Sequence, residues 1–345
     1  MSFAPKILNW YREHQRDLPW RQTRDPYRVW LSEIILQQTR VAQGMPYYLS
    51  FVETFPTVYD LAEAPEEQVL KLWQGLGYYS RARNLHTTAK MVVTEFDGQF
   101  PHTYEELKTL KGVGDYTASA IASFCFDVPE PVVDGNVYRV LSRYFGVDIP
   151  INSTEGITYF KELAREVMDA ENIRDYNQGI MEFGAIQCAP KKPYCLLCPL
   201  QESCVALKEN KVDILPIKLN KTKVRNRYFS YLVWLDGNGN TVLEQRKGKG
   251  IWQNLYQFPL LETDGPLEDG EIEEKMKVNH TPLEIETLSL YNNEPIIHKL
   301  SHQHLHTHFW ILKTSHILEE GISWKKIHDF PVPVLIADFI KTFKI

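Results

Sequence analysis

The spacing of apolar residues in this 345-residue chain changes character once, and that change limits what it can fold into. From Ile7 to about Lys211 they recur at helical spacing, punctuated by Pro and Gly, with little alternation. From Arg227 onward β-rich runs take over. Residues 228–235, a DGNGN turn and residues 241–246 read as a hairpin. A short helix is expected around Glu274, Lys275 and Met276, and strands again over residues 296–313. The expected fold is multidomain, an all-α half (residues 1–213) followed by an α+β half (residues 228–345). Between them, residues 214–227 hold Lys218, Lys221, Lys223, Arg225 and Arg227 and no acid. That composition suits a linker, solvated or laid along nucleic-acid phosphates.

The net charge of −6 excludes a generally basic DNA binder. Residues 1–215 carry 28 acids against 22 bases and the remainder is balanced, so any DNA surface must be a local patch. No run of eighteen apolar residues occurs, and Lys6, Arg12 and Glu13 interrupt any early apolar core. A cytoplasmic protein, with no membrane partner, is expected.

Two glycines flank one apolar residue in Lys111-Gly112-Val113-Gly114, between helical patterns carrying Leu107 and Leu110 on one side and Ala118, Ile121 and Ala122 on the other. Such a turn aims backbone N–H groups outward at a helix start, where an anion is favoured. About twenty residues on, Val133-Asp134-Gly135-Asn136 sets a carboxylate at another helix start. Together these segments resemble the helix-hairpin-helix, glycine/proline-rich loop and aspartate signature of the base-excision DNA glycosylases.

Upstream, Trp30, Ile34 and Leu36 surround Glu33. A carboxyl desolvated among apolar groups has a raised pKa and suits a general acid; a Glu on the wet face of the helix would not. The run SEIILQQT, ending in Gln37, Gln38 and Thr39, resembles the catalytic helix of the MutY-type adenine glycosylases. In residues 73–84, WQGLGYYSRARN, glycines permit close approach, aromatics can stack and arginines can bind phosphate. The resemblance places a duplex-inserting tyrosine at Tyr78.

Four of the five cysteines, Cys188, Cys195, Cys198 and Cys204, fall within seventeen residues, whereas Cys125 sits alone on an apolar helix and reads as core. Soft thiolates in one loop fit tetrahedral zinc or an iron–sulfur cluster. The C-x6-C-x2-C-x5-C spacing matches the [4Fe–4S] loop of the endonuclease III and MutY families. Its place behind the catalytic helices, with Lys191, Lys192 and Lys208 nearby, suggests that it shapes a DNA-facing loop and performs no redox turnover on substrate.

In the second half, IWQNLYQFP (residues 251–259) resembles Nudix domains, but the Nudix metal-binding box is missing after Phe258, so no nucleotide hydrolysis is expected. His298, His302, His304, His306 and His308 share strand parity without an accompanying carboxylate, which does not make a metal site. Leu300-Ser301-His302 resembles the loop by which the family's C-terminal domain recognises oxidised guanine.

The resemblance implies a helix-hairpin-helix glycosylase half with a [4Fe–4S] loop, then a Nudix-like lesion-recognition domain. It implies a monomer acting on duplex DNA with adenine opposite 8-oxoguanine or guanine. Glu33 would protonate adenine, and Asp134 would stabilise or attack the sugar cation. Tyr116 and Asn136 would orient Asp134 and the water. Trp20, Arg21 and Glu182 would line the adenine pocket. Gln37, Gln38, Tyr78, Lys111, Gly112, Val113, Gly114, Ser301 and His302 would contact DNA. One rival is an endonuclease III-type glycosylase/lyase, which needs an amine where Tyr116 stands. The other is a non-catalytic iron–sulfur DNA-binding protein, for which Glu33 and Asp134 have no use.

Overall fold

A computed structural model describes residues 3–219, 224–267, 270–279 and 284–345. Lys221 and Lys223 of the basic linker lie outside the described residues. The chain divides into two compact units, Met1–Glu63 with Asn84–Asn220, and Ala64–Arg83 with Lys221–Ile345.

The first unit is helical, and its helix Pro26–Leu36 is almost wholly buried. Asp25 caps it by accepting from the Tyr27 N–H, and Pro26 occupies the first turn, where no donor is missed. Eight of its residues are buried, so it is enclosed rather than amphipathic. It packs against Val41–Thr54 and Asp115–Phe126. The latter helix is apolar on nearly every side and stops at Asp127, which adopts the left-handed conformation. Gly135–Phe145 begins on the Asp134 cap and ends at Gly146 (φ +72°). Ile173–Ile186 packs against it, against Asp115–Phe126 and against Phe3–His14.

The second unit is built on a mixed sheet. Arg225–Asp236 and Gln303–Thr314 run parallel through its centre, Tyr228 opposite His306 and Leu232 opposite Trp310. Leu260–Thr263 flanks the first of these strands antiparallel. Thr287–Leu290 and Ile296–Lys299 flank the second. Helix Glu271–Asn279 brings Ile272 and Met276 onto a core with Leu232, Trp234, Leu261 and Leu312. Helix Val334–Thr342 supplies Phe339, stacked on Phe309 with ring centres 4.1 Å apart.

One expectation is corrected here. The hairpin of residues 228–235 with 241–246 does not form. Asn240–Thr241 pairs with Ile322–Ser323, and Glu244–Gln245 with Tyr256–Gln257. The first strand is twelve residues long with its last eight buried, and burial of that kind requires a partner of matching length. Asp236 still closes the turn, its carboxylate accepting from the N–H groups of Asn238 and Asn240. Residues 64–83 group with the second unit. Polar contacts fix them there: Asn254 Nδ2 donates to Glu66 (2.6 Å), Arg83 to the Gln253 carbonyl (2.9 Å), and Lys71 to the carbonyls of His328 and Phe330.

Candidate active site

In the first unit, a cavity of about 460 Å³ is lined by Trp20, Arg21, Glu33, Gln37, Gln38, Tyr116, Asp134, Asn136 and Glu182. Distant parts of the sequence meet there because the helix starting at Asp115 packs on the one carrying Glu33, and the helix starting at Ile173 packs on both the Asp115 and the Gly135 helices.

Glu33 is 8% exposed, and the Tyr116 hydroxyl donates to its Oε2 at 2.7 Å. Burial pushes its pKa up to about 7; the negative charge of Asp134 adds to that, while the Tyr116 hydrogen bond opposes it. The phenol of Tyr116 also meets Met181 Sδ at 3.2 Å, and burial raises its pKa well above the ordinary range. Tyr116 was expected to orient Asp134. Its hydroxyl is on Glu33 instead, because its helix packs on Pro26–Leu36 and directs the ring toward that carboxyl.

Asp134 faces a helix N-terminus. Its Oδ1 accepts from the backbone N–H groups of Asn136 and Val137, both at 2.8 Å, and its Oδ2 from Asn136 Nδ2 at 2.7 Å. Burial raises its pKa, and these three donors oppose the rise. Two carboxyls on one cavity wall are therefore set apart: Glu33 tends to hold its proton, and Asp134 has donors aimed at its ionised form. Arg139 completes the arrangement by donating to Asn136 Oδ1 (2.9 Å) and, through Nε, to the Cys188 carbonyl (2.7 Å).

Glu182 is clamped by Arg16 and Arg21 at 2.6 and 2.8 Å, and its pKa is pulled down to about 2 against the cost of burial. Arg16 had no role in the sequence reading. It stands five residues before Arg21 across a proline turn, and no local period links either residue to position 182.

The glycine turn lies at the start of helix Asp115–Phe126, with Gly112 at φ +77°. A Cβ there would come within 2.7 Å of Asn84 Cβ, so both conformation and space call for glycine. The helix's first N–H groups lack acceptors within it. Lys111 through Gly114 are not among the cavity-lining residues.

In the second unit, Tyr78 (φ +47°, 48% exposed) shares a hydrogen bond with Ser301 through their hydroxyls. Both line a cavity of about 490 Å³, together with His302, Trp252 and Arg83.

Cys188, Cys195, Cys198 and Cys204 are unpaired and partly exposed, whereas Cys125 is buried. Burial pushes the Cys198 thiol up to about 11, the charges of Cys188, Cys204 and Cys195 adding to it, so the four sulfurs lie within electrostatic reach of one another. Among the described residues no three Cys, His, Asp or Glu side chains are set to hold a single metal ion. Four soft donors gathered in one loop suit a thiolate-held metal centre, zinc or iron–sulfur.

The sequence model of the HhH-GPD superfamily of base excision DNA repair proteins matches residues 31–178, and a NUDIX domain model matches residues 230–342. Among solved structures, a thermostable thymine-DNA glycosylase is 32% identical, with a TM-score of 0.56, over 60% of this chain and 95% of that one. With its helix-hairpin-helix and paired carboxyls, the chain is a base-excision DNA N-glycosylase. An adenine DNA glycosylase from Buchnera aphidicola subsp. Schizaphis graminum is 34% identical over 99% of both chains. One from subsp. Baizongia pistaciae is 35% identical over 90% of this chain and 86% of its own length. This chain belongs to the adenine DNA glycosylase family, the MutY type. No helix among the described residues is long and apolar enough to cross a membrane.

Proposed function

We propose that this enzyme removes adenine mispaired with 8-oxoguanine or guanine in duplex DNA, as a cytoplasmic monomer that extrudes the nucleotide into the Glu33 cavity. A base inside the stack is out of reach, so extrusion must precede chemistry. The observation that carries the reading is a carboxyl with a pKa of about 7 sharing a cavity with an aspartate held by three donors.

In the reaction the bond between the sugar C1′ and adenine N9 breaks, and its electron pair goes to the base. Glu33 gives its proton to adenine N7 as that charge develops. Asp134 stabilises the cationic sugar or bonds to it transiently, and Asn136 holds Asp134. Water then adds to C1′, displacing the Asp134 carboxylate where that bond has formed, and its proton returns to the Glu33 carboxylate. Tyr116 orients Glu33. Trp20 packs on the base, and Glu182, held ionised with Arg21, accepts from its amino group. Gln37, Gln38 and the Lys111–Gly114 turn take up the DNA backbone and the gap left by the base. Tyr78 inserts into the duplex, and Ser301 with His302 reads the opposite base.

Glycosylases of this superfamily commonly carry an iron–sulfur cluster. Cys188, Cys195, Cys198 and Cys204 would hold a [4Fe–4S] group here, which when bound would tie its loop into a fixed shape beside Lys191 and Lys192. Labelled duplexes containing A opposite 8-oxoguanine, A opposite G, and thymine glycol opposite A test the proposal. Free adenine is expected from the first two only. Strand nicking at thymine glycol would support the endonuclease III-type reading, and binding without release would mark a non-catalytic protein.

A further inference from the structure

We infer that Asn177 and Lys161 are positioning residues that set the carboxylate of Asp134. The inference rests on the role for Asp134 proposed above. Helix Asp115–Phe126 closes at Asp127, and seven residues later the chain must deliver Asp134 to the cavity. Pro129 and Pro131 lie on the way and have no N–H, so the segment cannot be held by a regular backbone ladder. Its backbone–backbone bonds are early ones, from the Val128 N–H to the Ala122 carbonyl and from the Glu130 N–H to the Val128 carbonyl.

Beyond them, three successive residues have a backbone group taken by a side chain from another helix. Asn177 Nδ2 donates to the Glu130 carbonyl at 2.8 Å, Lys161 Nζ donates to the Pro131 carbonyl at 2.8 Å, and the Val132 N–H donates to Asn177 Oδ1 at 3.3 Å. Asn177 is fully buried and spends its remaining amide bond on Ser123 Oγ, at 2.9 Å. Lys161, with its side chain 15% exposed, also donates to Ser119 Oγ (2.8 Å) and Asp115 Oδ2 (3.2 Å). Neither residue lines the cavity. The amide and the ammonium thus fix the backbone two residues before Asp134 from two directions. They do so from helices Ile173–Ile186 and Thr154–Val167. A carboxylate that must match a developing charge loses most of its effect when displaced by an ångström, on the order of 10²-fold in rate.

The test uses the full chain and the variants Asn177→Leu, Lys161→Met and Lys161→Arg. Single-turnover excision from an A:8-oxoguanine duplex is measured at saturating enzyme. Affinities are measured for two duplexes with the nucleotide replaced, one by a cationic pyrrolidine sugar and one by neutral tetrahydrofuran. Asn177→Leu and Lys161→Met should lose about 10²-fold in rate. They should also lose the preference for the cationic sugar, with tetrahydrofuran-duplex affinity within twofold of wild type. Lys161→Arg should recover part of both. Wild-type rate and preference in the first two variants would overturn the inference. So would a parallel fall in affinity for both duplexes, which would assign the residues to general DNA binding. If Asn177→Leu does not fold, Lys161→Met carries the same comparison. A wild type that releases no adenine would sink the functional reading alone, since the sugar preference still reports where the Asp134 charge sits.

Discussion

At the scale of single residues, the exceptional group is Glu33. An ordinary carboxyl ionises near 4.5 and this one near 7, so its ionisation opposes folding. The stability it contributes is present below about 4.5 and lost as pH rises through 7. Glu33→Gln should therefore be more stable than wild type at pH 8 by up to about 3 kcal/mol and no different at pH 4, read from denaturant melts at the two pH values. The same variant should bind the A:8-oxoguanine duplex and excise at least about 10²-fold more slowly, because an amide has no proton to give. Wild-type excision should fall tenfold per pH unit above 7; a flat profile to pH 9 would remove Glu33 as the acid. Glu33 and Asp134 could be singled out from sequence because each sits in a short run whose chemistry is local. The bond between Tyr116 and Glu33 could not, since it depends on how two helices 83 positions apart turn toward each other.

At the scale of elements, Glu33, Tyr116 and Glu182 sit on helices, whereas Asp134 and the glycine turn stand just ahead of helix starts. Gly112→Ala forces a side chain into the left-handed region and against Asn84. It should cost roughly 1–2 kcal/mol in stability and weaken duplex binding more than it slows excision. Equal affinity in filter binding would show that the turn does not touch DNA. Cys198→Ser should lose the brown colour of an iron–sulfur protein and weaken binding before it affects the chemical step. Stoichiometric zinc without iron or sulfide in anaerobically purified protein would defeat the cluster assignment. The helical elements were legible because caps and apolar spacing act within a few residues, as at Asp25 and Pro26. The sheet was less so: strand composition marks Arg225–Asp236, but its partners lie up to 78 residues away and nothing local selects them.

At the scale of the whole molecule, each unit holds a cavity, and the proposed function assigns adenine to the first and the opposite base to the second. 8-Oxoguanine carries a proton on N7 where guanine has an acceptor, and a hydroxyl or imidazole can accept from it. A site built around that bond penalises the base that lacks it. The double variant Ser301→Ala, His302→Ala should therefore narrow the preference for A:8-oxoguanine over A:G while the saturating excision rate falls less. Unchanged relative affinities in competition binding would move the sensor elsewhere, with Tyr78 next in line. The chain crosses between its units three times, after Glu63, Arg83 and Asn220, and this bears on heredity. A recombination event at residue 220 would bring a foreign second half to a segment, residues 64–83, whose Glu66, Arg83 and Lys71 are held by Asn254, Gln253 and Phe330. The halves cannot be exchanged like beads on a string. A lineage that replaces one must also rewrite twenty residues inside the other, so the two are expected to be inherited together.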